Sequence, residues 1–269
     1  MGIIQRSLTS TTFQRMVNQK KLSAFMGWLS SKNMPHGVLK SVIRQFIRTN
    51  RIDMSQYEFN FNTVKTFNEF FIRRLKPGKR VFDGKISSGA DGFVSAFGPI
   101  KNNQLFQVKG KYFPLKEILG QKENFENGSF VTIYLSPADY HRVHMPFDGT
   151  ITSIKKIPGK LFSVNKKTVE KISNLYCKNE RIVLQGDSEF GRFYLVMVGA
   201  IVVGKIKLSF IDIMLKFNEL ISVEIPLKQG EEVGYFELGS TILIIMEADM
   251  LKDIPYKPHQ KISMGNKLF

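Results

Sequence analysis

The chain has 269 residues, 43% of them hydrophobic, which is enough for one large packed domain or one domain with a helical appendage. Its single cysteine, Cys177, excludes an internal disulfide framework and a cysteine-rich metal site. The formal net charge is +16, and residues 1–80 contribute twelve of these charges, with fifteen Lys or Arg and three Asp or Glu. This concentration predicts a polyanionic partner, either nucleic acid or an anionic membrane surface.

No apolar run reaches the roughly 20 residues that a membrane-spanning helix needs. The N-terminus has no apolar stretch typical of a secretory signal, although the first thirty residues, basic and free of acids, also suit a mitochondrial presequence. Any membrane contact is therefore expected to be peripheral.

Apolar residues at helical spacing predict helices over 12–31 and 38–49, and a third short helix over 66–74. In the second helix a basic stripe of Lys40, Arg44 and Arg48 runs beside the apolar stripe. Such a helix either lies in a membrane interface or packs its apolar stripe on the rest of the protein, and spacing alone leaves both alternatives open.

From about residue 82, short apolar runs alternate with glycines, a pattern typical of strands. The predicted strands are Val131–Leu135, Tyr194–Val198, Ile201–Val203, Ile206–Ser209 and Ile242–Met246. The last twenty residues, with two prolines, are predicted to form a surface tail. The expected fold class is α+β: a basic helical region (1–80) followed by a mainly antiparallel, β-rich domain (81–269).

Two of the four histidines, His141 and His144, lie close together in the sequence. Ser136 followed by Pro137 is a typical helix start, and Asp139 stands where a capping box has an acid. A helical turn over 137–144 would place both imidazoles on one face. A zinc site is disfavoured because further ligands are lacking, so no metal is expected.

Near the C-terminus, Gly239-Ser240-Thr241 precedes a wholly apolar strand. The tripeptide by itself is most simply a turn. It also permits the Ser240 hydroxyl to attack the carbonyl of Gly239, which has no side chain to obstruct the reaction. β-Elimination of the resulting ester and hydrolysis would then leave a pyruvoyl group, a ketone able to form a Schiff base with an amine.

Asp91 lies among small residues, where an aspartate is usually a turn residue. An Asp–His–Ser arrangement would instead let a histidine deprotonate Ser240. The same residue types could form a serine protease or esterase, although the G-x-S-x-G elbow is absent. A third alternative is a non-enzymatic basic protein that binds a membrane or, less plausibly for want of a recognition motif, nucleic acid.

Several segments, in order over about 60–247, together resemble the pyruvoyl-dependent phosphatidylserine decarboxylase family. The most specific are Tyr-His-Arg-Val-His-Met-Pro at 140–146 and Leu-Gly-Ser-Thr at 238–241. The others are Phe-Asn-Glu-Phe-Phe-Ile-Arg at 67–73, Ala-Asp-Gly at 90–92, Pro-Gly-Lys-Leu-Phe-Ser-Val-Asn at 158–165 and Gly-Glu-Glu-Val-Gly-Tyr-Phe at 230–236. Two positions depart from the family pattern: Gly89 stands where proline is usual, and Ile201 where a polar residue is common.

The resemblance implies a role for each matching residue. Asp91, His144 and Ser240 would form a self-cleavage triad in which His144 is the base, and His141 would serve the decarboxylation itself. Cleavage between Gly239 and Ser240 would give a β chain, 1–239, and an α chain that begins with the pyruvoyl cofactor made from Ser240.

The resemblance also implies substrate and setting. A Schiff base of the pyruvoyl group with phosphatidylserine would release CO2 and give phosphatidylethanolamine. The implied partners are this lipid, an anionic membrane surface and a second copy of the α–β heterodimer, and not nucleic acid. The implied location is peripheral, on the cytoplasmic side of the cell membrane, with the mitochondrial inner membrane as an alternative.

Overall fold

The computed structural model describes residues 30, 32–201, 205–237 and 240–269. It has the predicted α+β class, with short helices and a large antiparallel sheet. Most of the helix predicted over 12–31 lies outside the described residues. Gly239 and two residues of the strand predicted over 201–203 lie outside them too. The helices are α1 (His36–Asn50), α2 (Phe67–Phe71), α3 (Leu115–Leu119), α4 (Lys166–Lys171) and α5 (Leu175–Lys178), with 3-10 turns at Met54–Gln56 and Asp249–Leu251.

The large sheet has eight strands in the order β12-β8-β9-β10-β14-β6-β3-β15, and every neighbouring pair is antiparallel. Its strands are β3 (Gly92–Pro99), β6 (Ser129–Leu135), β8 (Gly149–Ile157), β9 (Arg181–Ser188), β10 (Gly191–Gly199), β12 (Leu220–Leu227), β14 (Ser240–Met246) and β15 (Lys261–Ile262). A second sheet has the order β11 (Ile206–Leu208), β13 (Glu232–Phe236) and β7 (Arg142–His144). Two small pairs are β1 (Tyr57–Glu58) with β2 (Arg74–Leu75), and β4 (Gln104–Val108) with β5 (Lys111–Pro114).

Both faces of the large sheet are covered, which explains why β14 is a continuous apolar run. Ile242 and Ile244 face a core shared with Val143 and Phe236 of the three-stranded sheet. Leu243, on the opposite face, packs in a second core with residues of helices α3–α5 and of the β4–β5 hairpin. The β-rich part of the chain therefore has three layers, with β14 near the middle.

The N-terminal region has a small core of its own. Leu39 and Ile43 on α1 are fully buried and pack with Phe70 of α2. The predicted helix over 38–49 is confirmed, and Leu39 and Ile43 of its apolar stripe pack on the protein. Val38 and Val42 remain exposed.

The helix predicted over 66–74 is shorter than expected. Its start has a capping box: Thr66 Oγ1 accepts a hydrogen bond from Glu69 N, and Glu69 Oε2 accepts one from Lys65 N. It ends at Phe71 because residues 74–75 pair with 57–58 as strand β2.

The prediction of a C-terminal surface tail is wrong. Strand β15 pairs with β3, and Ile262, Met264 and Leu268 are buried. The two prolines do not prevent this, because they precede the paired segment. None of the helices in the described ranges is long and apolar enough to cross a membrane.

The central position of β14 predicts a large stability cost for truncation there. Ile244→Ala should lower the free energy of unfolding by about 2–5 kcal/mol, because Ile244 is fully buried and the lost methyl groups leave a cavity. Urea unfolding followed by circular dichroism measures this effect. Val42→Ala on the exposed side of α1 is the control and should change stability by no more than about 0.5 kcal/mol; equal effects of the two substitutions would contradict the assignment of the core.

Candidate active site

Ser240 is the first residue of β14 and lies between two neighbouring strands. It faces Gly199 of β10 and Leu135 of β6 in the antiparallel register. Its side chain is fully buried, and within the described part of the chain its hydroxyl has no hydrogen-bond partner. A buried hydroxyl without a partner is rare and costly, which marks this position as a candidate reaction site.

His141 is fully buried beside the ring of Phe71, with a distance of 4.2 Å between ring centroids. Its Nδ1 lies 2.8 Å from the carbonyl oxygen of Asp139, which can only accept, so Nδ1 carries the proton. Nε2 therefore has a free lone pair, and it finds no partner among the described residues. Burial, with a smaller effect of nearby Arg73, lowers the pKa of His141 to about 3, so its imidazole is neutral at physiological pH.

His144 has a partner at each ring nitrogen. Its Nδ1 donates to the carbonyl oxygen of Gly230 at 2.8 Å, and its Nε2 accepts from the hydroxyl of Tyr140 at 3.1 Å. Burial lowers the pKa of His144, while Glu232 and Asp91 oppose this through their charges. Both histidines are thus neutral with the proton on Nδ1, which leaves Nε2 able to accept a proton.

The predicted helical turn over 137–144 is wrong. Asp139 Oδ2 accepts hydrogen bonds from Ser136 N and Oγ, so the capping signal forms, but only one turn follows. The reason is tertiary: residues 142–144 pair with β13 as strand β7. On that strand Val143 points into the core beneath the large sheet, so the neighbouring His144 points the other way, and the two histidines do not share a helical face.

Asp91 is held by residues other than His144. Arg80 donates to both of its carboxylate oxygens, at 3.2 and 2.6 Å, and Met264 N donates to Oδ1 at 2.7 Å. Asp91 thus makes a bidentate ion pair with Arg80. Its effect on His144 is through charge, without a direct hydrogen bond.

The segment that carries Asp91 is nevertheless tied to β7. His144 N donates to the carbonyl oxygen of Gly89 at 2.8 Å. A Cβ atom on residue 89 would lie 2.5 Å from the carbonyl oxygen of His144, closer than such atoms approach. Glycine at this position therefore allows the backbone of residue 89 to lie close to β7. The ring of a proline would fit there only if β7 moved away. The other departure, Ile201, lies in the turn after β10.

Four site residues escaped the sequence reasoning: Tyr140, Arg80, Phe71 and Arg73. Tyr140 was within the recognised Tyr-His-Arg-Val-His block, so its position was a usable signal. Arg73 is buried and donates to the carbonyl oxygen of Ala138 at 2.9 Å. Phe71 and Arg73 likewise belong to the family-like block at 67–73, whereas Arg80 lies in no such block and nothing local distinguishes it from the exposed basic residues of the N-terminal region.

The chemistry of the site suits a group made from Ser240 better than a bound metal. The hydroxyl of Ser240 is buried and has no partner among the described residues, as expected of a group that reacts with its own chain. Within the described ranges, no three His, Cys, Asp or Glu residues are clustered to hold a metal ion. Burial raises the pKa of the Cys177 thiol to about 12, so this thiol is not activated as a nucleophile.

Comparison with known proteins decides the family. The family model described as phosphatidylserine decarboxylase matches residues 67–269. The chain belongs to the phosphatidylserine decarboxylase family. A phosphatidylserine decarboxylase proenzyme of Acinetobacter baylyi is 41% identical over 267 residues, covering 95% of this chain and 93% of that protein. Proenzymes of the same name from Vibrio campbellii, 42% identical over 86% of this chain and 87% of that protein, and Vibrio vulnificus, 40% identical over 89% and 90%, are similar too.

Membership in the family confirms the resemblance drawn from the two motif blocks and makes the protein a decarboxylase of the carboxy-lyase class. The name proenzyme, which these relatives share, implies that a precursor is processed. The roles of the individual residues in this chain remain predictions.

The buried neutral histidines predict acid sensitivity. His141 has a pKa of about 3 when folded and 6.5 ordinarily, so between these values the unfolded chain binds a proton that the folded chain does not. Stability is therefore full above pH 6.5 and falls as the pH drops towards 3, by about 1 kcal/mol per pH unit for this residue. His144, whose pKa is also lowered, adds to the loss.

Urea unfolding at pH 7 and pH 5 measures the effect. His141→Gln, which retains a donor for the Asp139 carbonyl, should show a shallower fall in stability over this range than the unmodified chain. An unchanged pH slope in the variant would contradict the buried, neutral state of His141.

Proposed function

We propose that this protein is a self-processing phosphatidylserine decarboxylase that cuts its own chain between Gly239 and Ser240. The observation that carries the proposal is the buried, unpartnered hydroxyl of Ser240 at the start of β14, in a chain whose relatives are named proenzymes. A hydroxyl in this setting has lost its hydrogen bonds to water, and its attack on the carbonyl carbon of the preceding residue closes a five-membered ring.

The cleavage balances with the groups of the chain and one water molecule. Ser240 Oγ bonds to the carbonyl carbon of Gly239 as its proton passes to a base, and the peptide C–N bond breaks as the nitrogen takes a proton. Loss of the α-proton of residue 240 then breaks the Cβ–O bond and frees Gly239 as a carboxylate. Water hydrolyses the remaining unsaturated residue, which releases ammonia and leaves a ketone at the new N-terminus.

His144 is proposed as the base of this cleavage, supported by its neutral state and by the lone pair on Nε2. Tyr140 has to give up its hydrogen bond to that nitrogen before the proton can be taken. Asp91 completes the proposed triad by its negative charge, which opposes the lowering of the His144 pKa by burial. The ion pair with Arg80 and the hydrogen bond from Met264 N hold the carboxylate of Asp91 near β7.

A pyruvoyl group, once made from Ser240, supplies a ketone that condenses with the substrate amine. It then accepts the electron pair that stays on the α-carbon when CO2 leaves. His141 is proposed to accept on Nε2 a proton that the substrate amine loses as it condenses with the ketone, and then to pass this proton to the reacting carbon, because Nε2 has a free lone pair, is buried and has no partner in the described part of the chain. The ring of Phe71 beside it excludes water from this proton. The product is phosphatidylethanolamine.

The α chain, 240–269, is proposed to remain bound to the β chain, 1–239, after cleavage. Strand β14 pairs with β10 and with β6 along all seven of its residues, and β15 pairs with β3. These ladders and the cores on both faces of β14 need no peptide bond at 239–240. The proposed setting is an anionic membrane surface on its cytoplasmic side, with two α–β heterodimers in the complete enzyme.

A serine protease or esterase is the less favoured alternative. A hydrolase would act as the uncut chain, and there Ser240 has no exposed surface for an external ester or peptide, whereas the proposed decarboxylase meets its substrate only after cleavage. Asp91 makes its hydrogen bonds to Arg80 and Met264, whereas a hydrolase needs the carboxylate to orient the histidine directly.

Removal of the nucleophile should stop the processing. Ser240→Ala is expected to remain a single chain, because no hydroxyl is left to attack residue 239, whereas the unmodified chain should give two fragments. Intact mass spectrometry under denaturing conditions measures this, and the small fragment should carry a pyruvoyl mass. Thr132→Val on β6 also removes a buried hydroxyl without a partner in the described chain, so it is the control and should be cut normally. A cut Ser240→Ala chain would refute the mechanism.

The two histidines should separate into two phenotypes. His144→Ala is expected to block cleavage through loss of the base, whereas His141→Ala should be cut but decarboxylate about 10²–10⁴-fold more slowly through loss of the group that carries the proton to the reacting carbon. Gel electrophoresis reports cleavage, and CO2 release from phosphatidylserine reports turnover. Normal processing of His144→Ala would assign the base elsewhere, and full turnover by His141→Ala would remove that residue from the reaction.

A further inference from the structure

A concentration of exposed apolar side chains lies between strands β11 and β12. We define the apolar loop as residues 209–220. Four of the nine large hydrophobic residues that are exposed in the described part of the chain belong to it: Ile213 (43% exposed), Met214 (90%), Phe217 (48%) and Leu220 (54%). A cluster of this kind on a soluble surface is typical of a site that binds another apolar surface.

The strand that precedes the apolar loop begins beside the proposed cleavage site. Strand β11 pairs with β13, the strand that leads into residues 238–239, and Glu237 N donates to the carbonyl oxygen of Lys205 at 3.1 Å. The chain then runs through the apolar loop to β12, whose first residue, Leu220, pairs with Lys155 near the end of β8.

The same end of the large sheet carries Ser240. Ile157 at the end of β8 pairs with Arg181, and Arg181 also faces Val198 of β10. The next residue of β10, Gly199, faces Ser240. The ends of four neighbouring strands thus connect the apolar loop to the proposed origin of the pyruvoyl group.

Lysines surround the apolar side chains. Lys156 Nζ lies 4.5 Å from the centroid of the Phe217 ring and makes a salt bridge of 3.6 Å to Glu180. Lys160, Lys205 and Lys216 are exposed, and two exposed acids, Asp212 and Glu219, partly offset them. Apolar tips with lysines around them suit an anionic bilayer, where the tips enter the hydrocarbon and the ammonium groups remain at the headgroups.

The position of a lipid substrate favours a membrane over a second protein as the partner of the apolar loop. The amine of a phospholipid headgroup has to reach residue 240 while its acyl chains leave the bilayer as little as possible. The end of the sheet that carries Ser240 must therefore face the bilayer. This step rests on the proposed function, since only a lipid substrate imposes it.

We propose that the apolar loop inserts Ile213, Met214, Phe217 and Leu220 into an anionic bilayer and so turns the Ser240 end of the sheet towards the lipid substrate. The basic N-terminal region meets the same end, because Phe71 of α2 contacts His141. The apolar loop supplies a second, independent anchor in the β-rich part of the chain.

Vesicle flotation with the full chain tests the proposal. The probes are vesicles of phosphatidylcholine with about one third phosphatidylglycerol, an anionic lipid that is not the substrate, and vesicles of phosphatidylcholine alone. Met214→Asp should bind the anionic vesicles about tenfold more weakly than the unmodified chain, as expected when a carboxylate replaces an inserted side chain. Equal binding of the two proteins would overturn the proposal.

Tyr112→Asp is the matched control. Tyr112 is 47% exposed, on a hairpin that follows Pro99. This hairpin packs in the core on the α3–α5 face of the large sheet, whereas Phe210, Ile211 and Leu215 of the apolar loop pack in the core on the other face. Tyr112→Asp should bind vesicles like the unmodified chain; an equal loss in both variants would point to a general effect of charge and overturn the proposal.

A fluorescence measurement keeps the test valid if Met214→Asp fails to fold. Trp28 is the only tryptophan, so Met214→Trp in a Trp28→Phe background gives a single reporter in the apolar loop. Its emission should shift to the blue on anionic vesicles and be quenched by brominated acyl chains. An emission typical of water while the protein is vesicle-bound would overturn the insertion.

Two further measurements separate this proposal from its alternatives. If Met214→Asp shifts a dimer to a monomer in analytical ultracentrifugation without a change in vesicle binding, the apolar loop is a contact between copies of the chain and the proposal fails. Decarboxylation of a short-chain, monomeric phosphatidylserine by the unmodified protein tests the proposed function by itself. Absence of CO2 release there would refute the function while blue-shifted, quenched emission would still establish insertion.

Discussion

The pairing of β14 on both of its edges is the constraint on which the rest of this structure depends. Seven residue pairs join it to β10 and seven join it to β6, and its side chains enter a separate core on each face. These contacts fix Ser240 at one end of a rigid sheet. They also explain how a strand that follows the proposed cleavage site can lose its covalent link and keep its place, because none of these contacts uses the peptide bond at 239–240.

Burial gives the site its chemical character. Ser240 Oγ and His141 Nε2 are both buried without partners in the described chain, and such a group costs about 1–3 kcal/mol. The same burial keeps His141 and His144 neutral and able to accept a proton. The cost in stability and the neutral state of both imidazoles thus have one physical cause, the exclusion of water.

The basic N-terminal region contributes directly to the site. Arg80 holds Asp91, Arg73 holds the 136–141 segment through the carbonyl of Ala138, and Phe71 covers His141. Part of the positive charge of this region therefore serves internal ion pairing and hydrogen bonding. The basic stripe on α1 and the apolar loop beside β11 are separate surfaces. Helix α1 approaches the site through Phe46, which contacts Phe71 beside His141.

The sequence by itself determined the features that repeat locally or react locally. The alternation of apolar runs and glycines predicted the antiparallel, β-rich α+β fold, the spacing in 38–49 predicted α1, and two short motif blocks identified the family. What the tertiary structure decided depends on pairing between distant segments. Residues 142–144 became a strand because β13 competes successfully with a helical turn, and the C-terminal residues became a buried strand because β3 offers an edge. The partners of Asp91 lie 11 and 173 residues away, at Arg80 and Met264, a separation at which residue spacing carries no signal about contact.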